Sequence, residues 1–288
     1  MNAVLCVAAH HLAFLCPDTP TYVAAAASHL DQALAGFRIE LSNELASKHL
    51  DVFIATSMLL QFEIWANVDL NSTVASFDPS RDSIFEFSSS LKQVFLGSFP
   101  EASIQDSIFL PYHRSSPLNT LVEAAQISSD TLTHFQDFFA YNQPLTPDLL
   151  NVPLPYKRDI DQANSDAWQP RVPDTQDTPD MIQDGYVPVV TRLCLILSFL
   201  PEACPPCSLD AKSPLLLGLA RYMHSFPVSC HGPFASMVYD SDPHALLLLY
   251  HFYRAVRILL SSSEFWWACK RATMLEKALK EWVTARCS

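Results

Sequence analysis

Gly36, Gly97, Gly185, Gly218 and Gly232 are the only five glycines in 288 residues. Doubly wound sheets and β-sandwiches use glycine at tight turns, and phosphate or dinucleotide loops use it where the backbone meets the ligand. No two of these glycines are close enough for such a loop, and no G-x-S-x-G nucleophile elbow occurs. Long apolar segments with three- and four-residue spacing fill the chain instead. The expectation is an all-α, multi-helix single domain over residues 1–288.

The most apolar segment is "DPHALLLLYHFYRAVRILL", Asp242 to Leu260. Asp-Pro is an N-cap followed by proline at the first helical position. The segment spans roughly 27 Å as a helix. His244, His251, Arg254 and Arg257 interrupt it, so it reads as the central helix of a folded core and not as a membrane span. Further helices are predicted over 2–15, about 21–45, about 48–67, from "FDPSRD" through Phe95, about 117–141, about 187–200, 214–225, and from Glu264 to near the C-terminus. Residues 141–180 carry seven prolines and read as a long proline-rich loop inside the domain.

The composition is 49% hydrophobic and 17% charged, with a net charge of −12. That describes a folded chain and excludes nucleic-acid binding by this chain alone, because phosphate contacts need clustered Lys and Arg. The opening "MNAVLCVAAHHLAFLC" lacks a basic n-region, and His10 and His11 break its apolar run. It therefore reads as a buried helix and not as a signal peptide. The implied compartment is nucleus or cytoplasm, the eight cysteines are expected as free thiols, and the Asn71 glycosylation pattern loses its meaning.

Motifs for metal or redox chemistry are sparse. "CPPC", Cys204 to Cys207, has ligand spacing, but Cys230-His231 is the only close-set partner pair downstream. It reads as a loop with two idle thiols. The alternating acids of "DIDQANSD" lie in the proline-rich loop. His10 and His11 point about 100° apart on a helix, so one is expected packed and the other at the rim. No metal site and no cofactor is expected.

Aromatic and sulfur side chains are the remaining signal. Met58, Phe62 and Trp65 share one side of the third helix, and Phe234 and Met237 precede the central helix. Leu247, His251, Arg254 and Ile258 share a face of that helix. Two readings stand: a core with a wet edge, or an apolar cavity with a few placed polar groups.

Several stretches in order, "MNAVLCVAAHHLAFL", "YVAAAASHLDQALAGFRIEL", "LDVFIATSMLLQFEIWA" and then "FPVSCHGPFASMVYDSDPHALLLLYHFYRAVRILLSSSEFWWACKRATMLEKALKEWV", resemble the regulatory domain of fungal binuclear zinc-cluster transcription factors. The F-P, D-P-x-A-L-L-L-L, W-W-x-x-x-R-A order is similar to the sterol-uptake-control branch. The resemblance covers both ends and leaves the middle unmatched. It implies an all-helical, ligand-responsive transcription-regulator domain that binds a sterol-like or other apolar molecule. Phe234 to Trp267 would line the pocket, including Tyr250, His251, Arg254, Trp266 and Trp267, with Met58, Phe62 and Trp65 adjoining. The family's six-cysteine DNA-binding cluster does not occur in this sequence. An alternative reading is a pocket turned to catalysis on an apolar polyketide or terpenoid, as a cofactor-independent cyclase or isomerase with His10, His251 or Arg254 as its polar groups. A homodimerisation scaffold is a third.

Overall fold

The computed structural model describes residues 1–42, 50–67, 82–98, 107–111, 116–151, 181–201, 212–230 and 232–287. Among them are eleven α-helices and no strand: α1 (Asn2–Leu15), α2 (Pro20–Ser42), α3 (Leu50–Ala66), α4 (Ser83–Ser98), α5 (Leu118–Ala125), α6 (Ser129–Phe138), α7 (Val187–Leu197), α8 (Pro214–Ser229), α9 (Pro233–Tyr239), α10 (Pro243–Leu259) and α11 (Trp266–Thr284). A 3₁₀ turn covers Pro147–Leu150, and a π turn, Met181–Tyr186, leads into α7. No helix among the described residues is long and apolar enough to cross a membrane.

Two helical hairpins frame the molecule. In the first, α1 and α2 face each other through small residues, Ala3, Cys6 and Ala9 against Ala26 and Ala33. Their size lets the backbones approach until the Cys6 thiol reaches the Ala26 carbonyl at 3.4 Å. The second joins α10 to α11. Asp242 caps α10 by accepting from the backbone N–H groups of His244 and Ala245, both at 2.9 Å, with Pro243 in the first turn as the sequence requires. Tyr141 Oη donates to the same carboxylate at 2.6 Å, so the start of α10 is tied to the segment after α6.

Ala245 through Tyr253 are all buried, as expected of a helix with neighbours on every side. One buried apolar cluster runs from Trp65 on α3 to Val283 on α11. Smaller clusters fill the α1–α2–α3 end: Ala3, Ala33 and Leu60 in one, Leu50, Phe53, Ile54 and Leu91 in the other.

The all-α expectation holds, and several boundaries move. The helix expected over 117–141 is two, broken at Gln126, which adopts φ 48°. Ser128 then caps α6 by accepting from Thr131 N at 3.1 Å; a serine that offers the backbone an alternative bond stops one helix and starts the next. The helix expected to end at Ser225 continues to Ser229 through Pro227. Pro227 removes only the bond its own N–H would make to Met223, and the ladder resumes with Cys230 N reaching Phe226 O at 3.0 Å. Phe234 and Met237, read as preceding the central helix, lie on a helix of their own, α9. Gly232 enters it at φ 78°, a conformation that costs glycine little. At Gly185 a Cβ would sit 2.7 Å from Pro233 Cβ and 2.9 Å from Phe234 N, so the π turn docks on α9 through a contact only glycine allows. Residues 152–180, Cys204, Cys207, Asn71 and Asp159–Asp166 lie outside the described residues.

Candidate ligand-binding site

The first turns of α1 carry no charge, but its third turn presents His10 and His11. Opposite stands Glu63 on α3, whose side chain is only 3% exposed. His10 Nδ1 meets Glu63 Oε1 at 2.9 Å, and the imidazole keeps 25% exposure. An ionised carboxylate accepts and does not donate, so against it Nδ1 is the donor, and Nε2 is the ring nitrogen not engaged by Glu63. Glu63 Oε2 is buried without a hydrogen-bond partner among the described residues. Behind it lies Cys6, whose thiol is pushed up to about 12 by burial first and by the Glu63 charge second. Cys6 is therefore a protonated thiol, not a nucleophile.

Trp266, the first residue of α11, closes the side of this pair. His11 stacks on it with ring centres 5.0 Å apart and planes 13° apart. The His10 ring lies at 5.6 Å and Phe14 at 6.2 Å. The spacing explains how both histidines are used: neighbours on a helix turn by about 100°, and a broad indole spans the gap. The expected division is observed, with His10 partly buried and His11 exposed.

Deeper in, α3, α8 and α11 share an aromatic cluster. His224 stacks on Phe62 at 4.2 Å, and Trp267 meets Phe62, Trp65 and His224 edge-on at 5.6, 5.2 and 5.2 Å. The indole N–H of Trp65 and the amide of Gln61 both donate to the His224 carbonyl, at 3.2 and 3.1 Å. Of the side chains expected to line a pocket, Phe62, Trp65 and Trp267 thus come together around His224, and Trp266 lies beside His10.

The others are dispersed. Met58 packs at the α3–α4 cluster, while Phe234 and Met237 are buried on α9. Leu247 is 1% exposed and Tyr250 4% exposed within the main core. His251 is fully buried, and its Nε2–H donates to the Leu149 carbonyl at 2.8 Å, anchoring the 3₁₀ turn. Burial pushes its pKa down to about 3. Nδ1 of that neutral ring keeps its lone pair but is buried without a hydrogen-bond partner among the described residues, so His251 is withdrawn from solvent, and Arg254 lies half-buried near His251 and Tyr250. On the face of α10 expected to border a cavity, Leu247 and His251 are buried, while Arg254 and Ile258 are half-buried. The two best-formed clefts among the described residues lie elsewhere. One of about 230 Å³ is lined by Ala33, Gly36, Phe37, Glu40, Phe53 and Thr56. The other, of about 40 Å³, lies between Phe139, Tyr141, Tyr186 and Val190. Both fall below the roughly 300–1,000 Å³ of a drug-sized pocket.

This packing changes the expected result of enlarging Leu247. Leu247→Trp should overpack the core and cost about 1–3 kcal/mol, read as a lower urea midpoint at unchanged m-value. A variant that unfolds at the wild-type midpoint would mean that space exists beside α10.

Glu63, His224 and Trp266 form much of this arrangement and are not all visible as a motif. Glu63 stands in an almost wholly apolar helix, which is the one signal that its charge needs a partner. No group of three metal-ligating side chains occurs among the described residues. No known family model, no curated protein and no solved structure matches the chain.

Proposed function

We propose that this chain is a ligand-responsive regulatory module, of the kind its motif order resembles, that binds an apolar small molecule and relies on a partner for any contact with DNA. The observation that carries the reading is where the resembling segments meet. They lie at opposite ends of the sequence, yet α3 and α11 pack directly. Trp65 lies against Trp267, and Arg271, the arginine of W-W-x-x-x-R-A, donates to the carbonyls of Ile64, Trp65 and Asn67. The two matched ends thus behave as one structural unit. The small clefts favour a compact ligand over a sterol-sized one.

Native mass spectrometry of the purified protein tests the reading. One small apolar metabolite should be carried in stoichiometric amount, and readdition at 100 times its Kd should raise stability by about 2.7 kcal/mol. Failure of every carried or added metabolite to stabilise the fold would overturn it. His10 hydrogen-bonded to Glu63 favours a second reading, an isomerase or cyclase in which Nε2 takes a proton from the substrate. In that case the molecule leaves chemically altered, and His10→Ala abolishes the change.

A further inference from the structure

The ligand-binding reading leaves open what end of a ligand the protein recognises, and the His10–Glu63 pair offers a partly exposed ring held by a buried carboxylate. We propose that His10, held by Glu63 and flanked by Trp266, receives the acidic group of an aromatic organic acid, a carboxylic acid or phenol. The proposal rests on the small-molecule reading and names the ligand class.

The argument begins with Glu63. Its side chain is 97% withdrawn from solvent, since only 3% is exposed; one oxygen is on His10 and the other has no hydrogen-bond partner among the described residues. Cys6, a weak thiol donor, is its other polar neighbour, and a buried carboxylate so weakly held is costly unless opposite charge stands beside it. Its hold on Nδ1 leaves Nε2 as the ring nitrogen that can meet a ligand. A carboxylate or phenolate oxygen binds there by accepting from Nε2–H; a ring that was neutral beforehand takes that proton from solvent, because a carboxylate brings none. The imidazolium then lies between two carboxylates, or a carboxylate and a phenolate. The charge-assisted bond to the ligand is a strong one, and the new positive charge answers the one on Glu63.

The surroundings select an aromatic acid. Trp266, His11 and Phe14 supply flat surface beside the imidazole, and offset or edge-to-face ring contacts add to the affinity of a planar ligand. α1 contributes no Lys, Arg, Asp or Glu to compete for the ligand's charge.

The test uses 2-hydroxybenzoate as the probe on the intact chain, followed by tryptophan fluorescence and by the His10 ring resonances. Saturable binding should quench fluorescence and shift His10. His10→Gln keeps a hydrogen bond to Glu63 but accepts no proton, and should weaken binding ~10-fold or more; Glu63→Gln should weaken it by a similar factor. His11→Ala should change it less than ~3-fold, because it removes stacking area only. Acetate, which lacks the ring, and benzyl alcohol, which lacks the acid, should each bind at least ~10-fold more weakly. Thermal melts of each variant show whether it is folded, and Trp266→Leu reads the ring contact without touching the His10–Glu63 pair. Equal titrations for wild type and His10→Gln would overturn the proposal, as would acetate binding as tightly as 2-hydroxybenzoate or no response up to about 10 mM, a concentration at which even very weak sites fill. A metabolite carried through purification and retained by folded His10→Gln would uphold the regulatory reading and remove this site from it.

Discussion

Replacing Arg271 by methionine should lower the free energy of unfolding by about 3–5 kcal/mol, the usual consequence of removing one partner of a buried ion pair. Arg271 and Asp82 are each under 5% exposed. The guanidinium pairs with Asp82 through Nη1. Nε donates to Trp65 O at 3.2 Å, and Nη2 donates to Ile64 O at 2.5 Å and Asn67 O at 3.2 Å. Those carbonyls belong to the last turn of α3, where a helix has no backbone partners of its own and carries partial negative charge. Asp82 meanwhile accepts from Ile84 N at 3.1 Å at the start of α4 and from Tyr253 Oη at 2.8 Å. Methionine fills the volume but strands a carboxylate and three carbonyls. Arg271→Lys should lie between, because one ammonium does not reproduce a planar fork. Arg257→Ala is the control: the Arg257 side chain is 43% exposed where it pairs with Glu276, and loss of a surface pair costs about 1 kcal/mol or less. Urea denaturation of the three variants checks this. Equal midpoints for Arg271→Met and Arg257→Ala would refute the assignment.

Acid should unfold the chain well above the range where most carboxylates titrate. His224 and His251 are both buried, and burial holds each near 3 against an ordinary value of 6.5. Both are therefore neutral in the fold, while the unfolded chain takes up a proton at each below pH 6.5. The unfolded state binds more protons throughout that interval, so stability falls as pH falls and is fully present above pH 6.5. At about 1.4 kcal/mol per pH unit and site, the two together remove about 5 kcal/mol by about pH 4.5, against a typical total of about 5–15 kcal/mol. His224 Nε2 has no partner, so His224→Phe sacrifices no bond there and keeps the stack on Phe62. Circular dichroism against pH should show its acid midpoint displaced to lower pH. Stability unchanged between pH 6.5 and 4.5 in the wild type, or the same midpoint in His224→Phe, would contradict the argument.

Local signals in the chain account for the helices. Apolar spacing located α1 with both ends, because "CPDTP" stops it, and Asp-Pro located the start of α10. The break between α5 and α6 was missed because Ser128 competes for a backbone bond by geometry that apolar periodicity does not register. The histidines divided as a 100° turn requires, but nothing near His10 in sequence announced Glu63, 53 residues away. Arg271 entered only as the arginine of the W-W-x-x-x-R-A order, with no partner named for it. Its burial follows from facing the end of α3, 204–207 positions earlier in the chain.

The amino-acid sequence by itself determined that this protein is helical, that α10 is its most deeply embedded element, and that strand folds and phosphate loops are excluded. Those properties follow from glycine scarcity, capping residues and periodicity, all of which act over a few residues. Tertiary structure alone decided that Ala245 through Tyr253 are all buried in the main core, that His251 is a donor to Leu149, and that His10, Glu63 and Trp266 stand together. The physical reason is range. A hydrogen bond or ring contact between α1, α3 and α11 depends on how three helices pack, and side-chain packing at 4–6 Å is decided by shape complementarity across the core, which no local window of residues encodes.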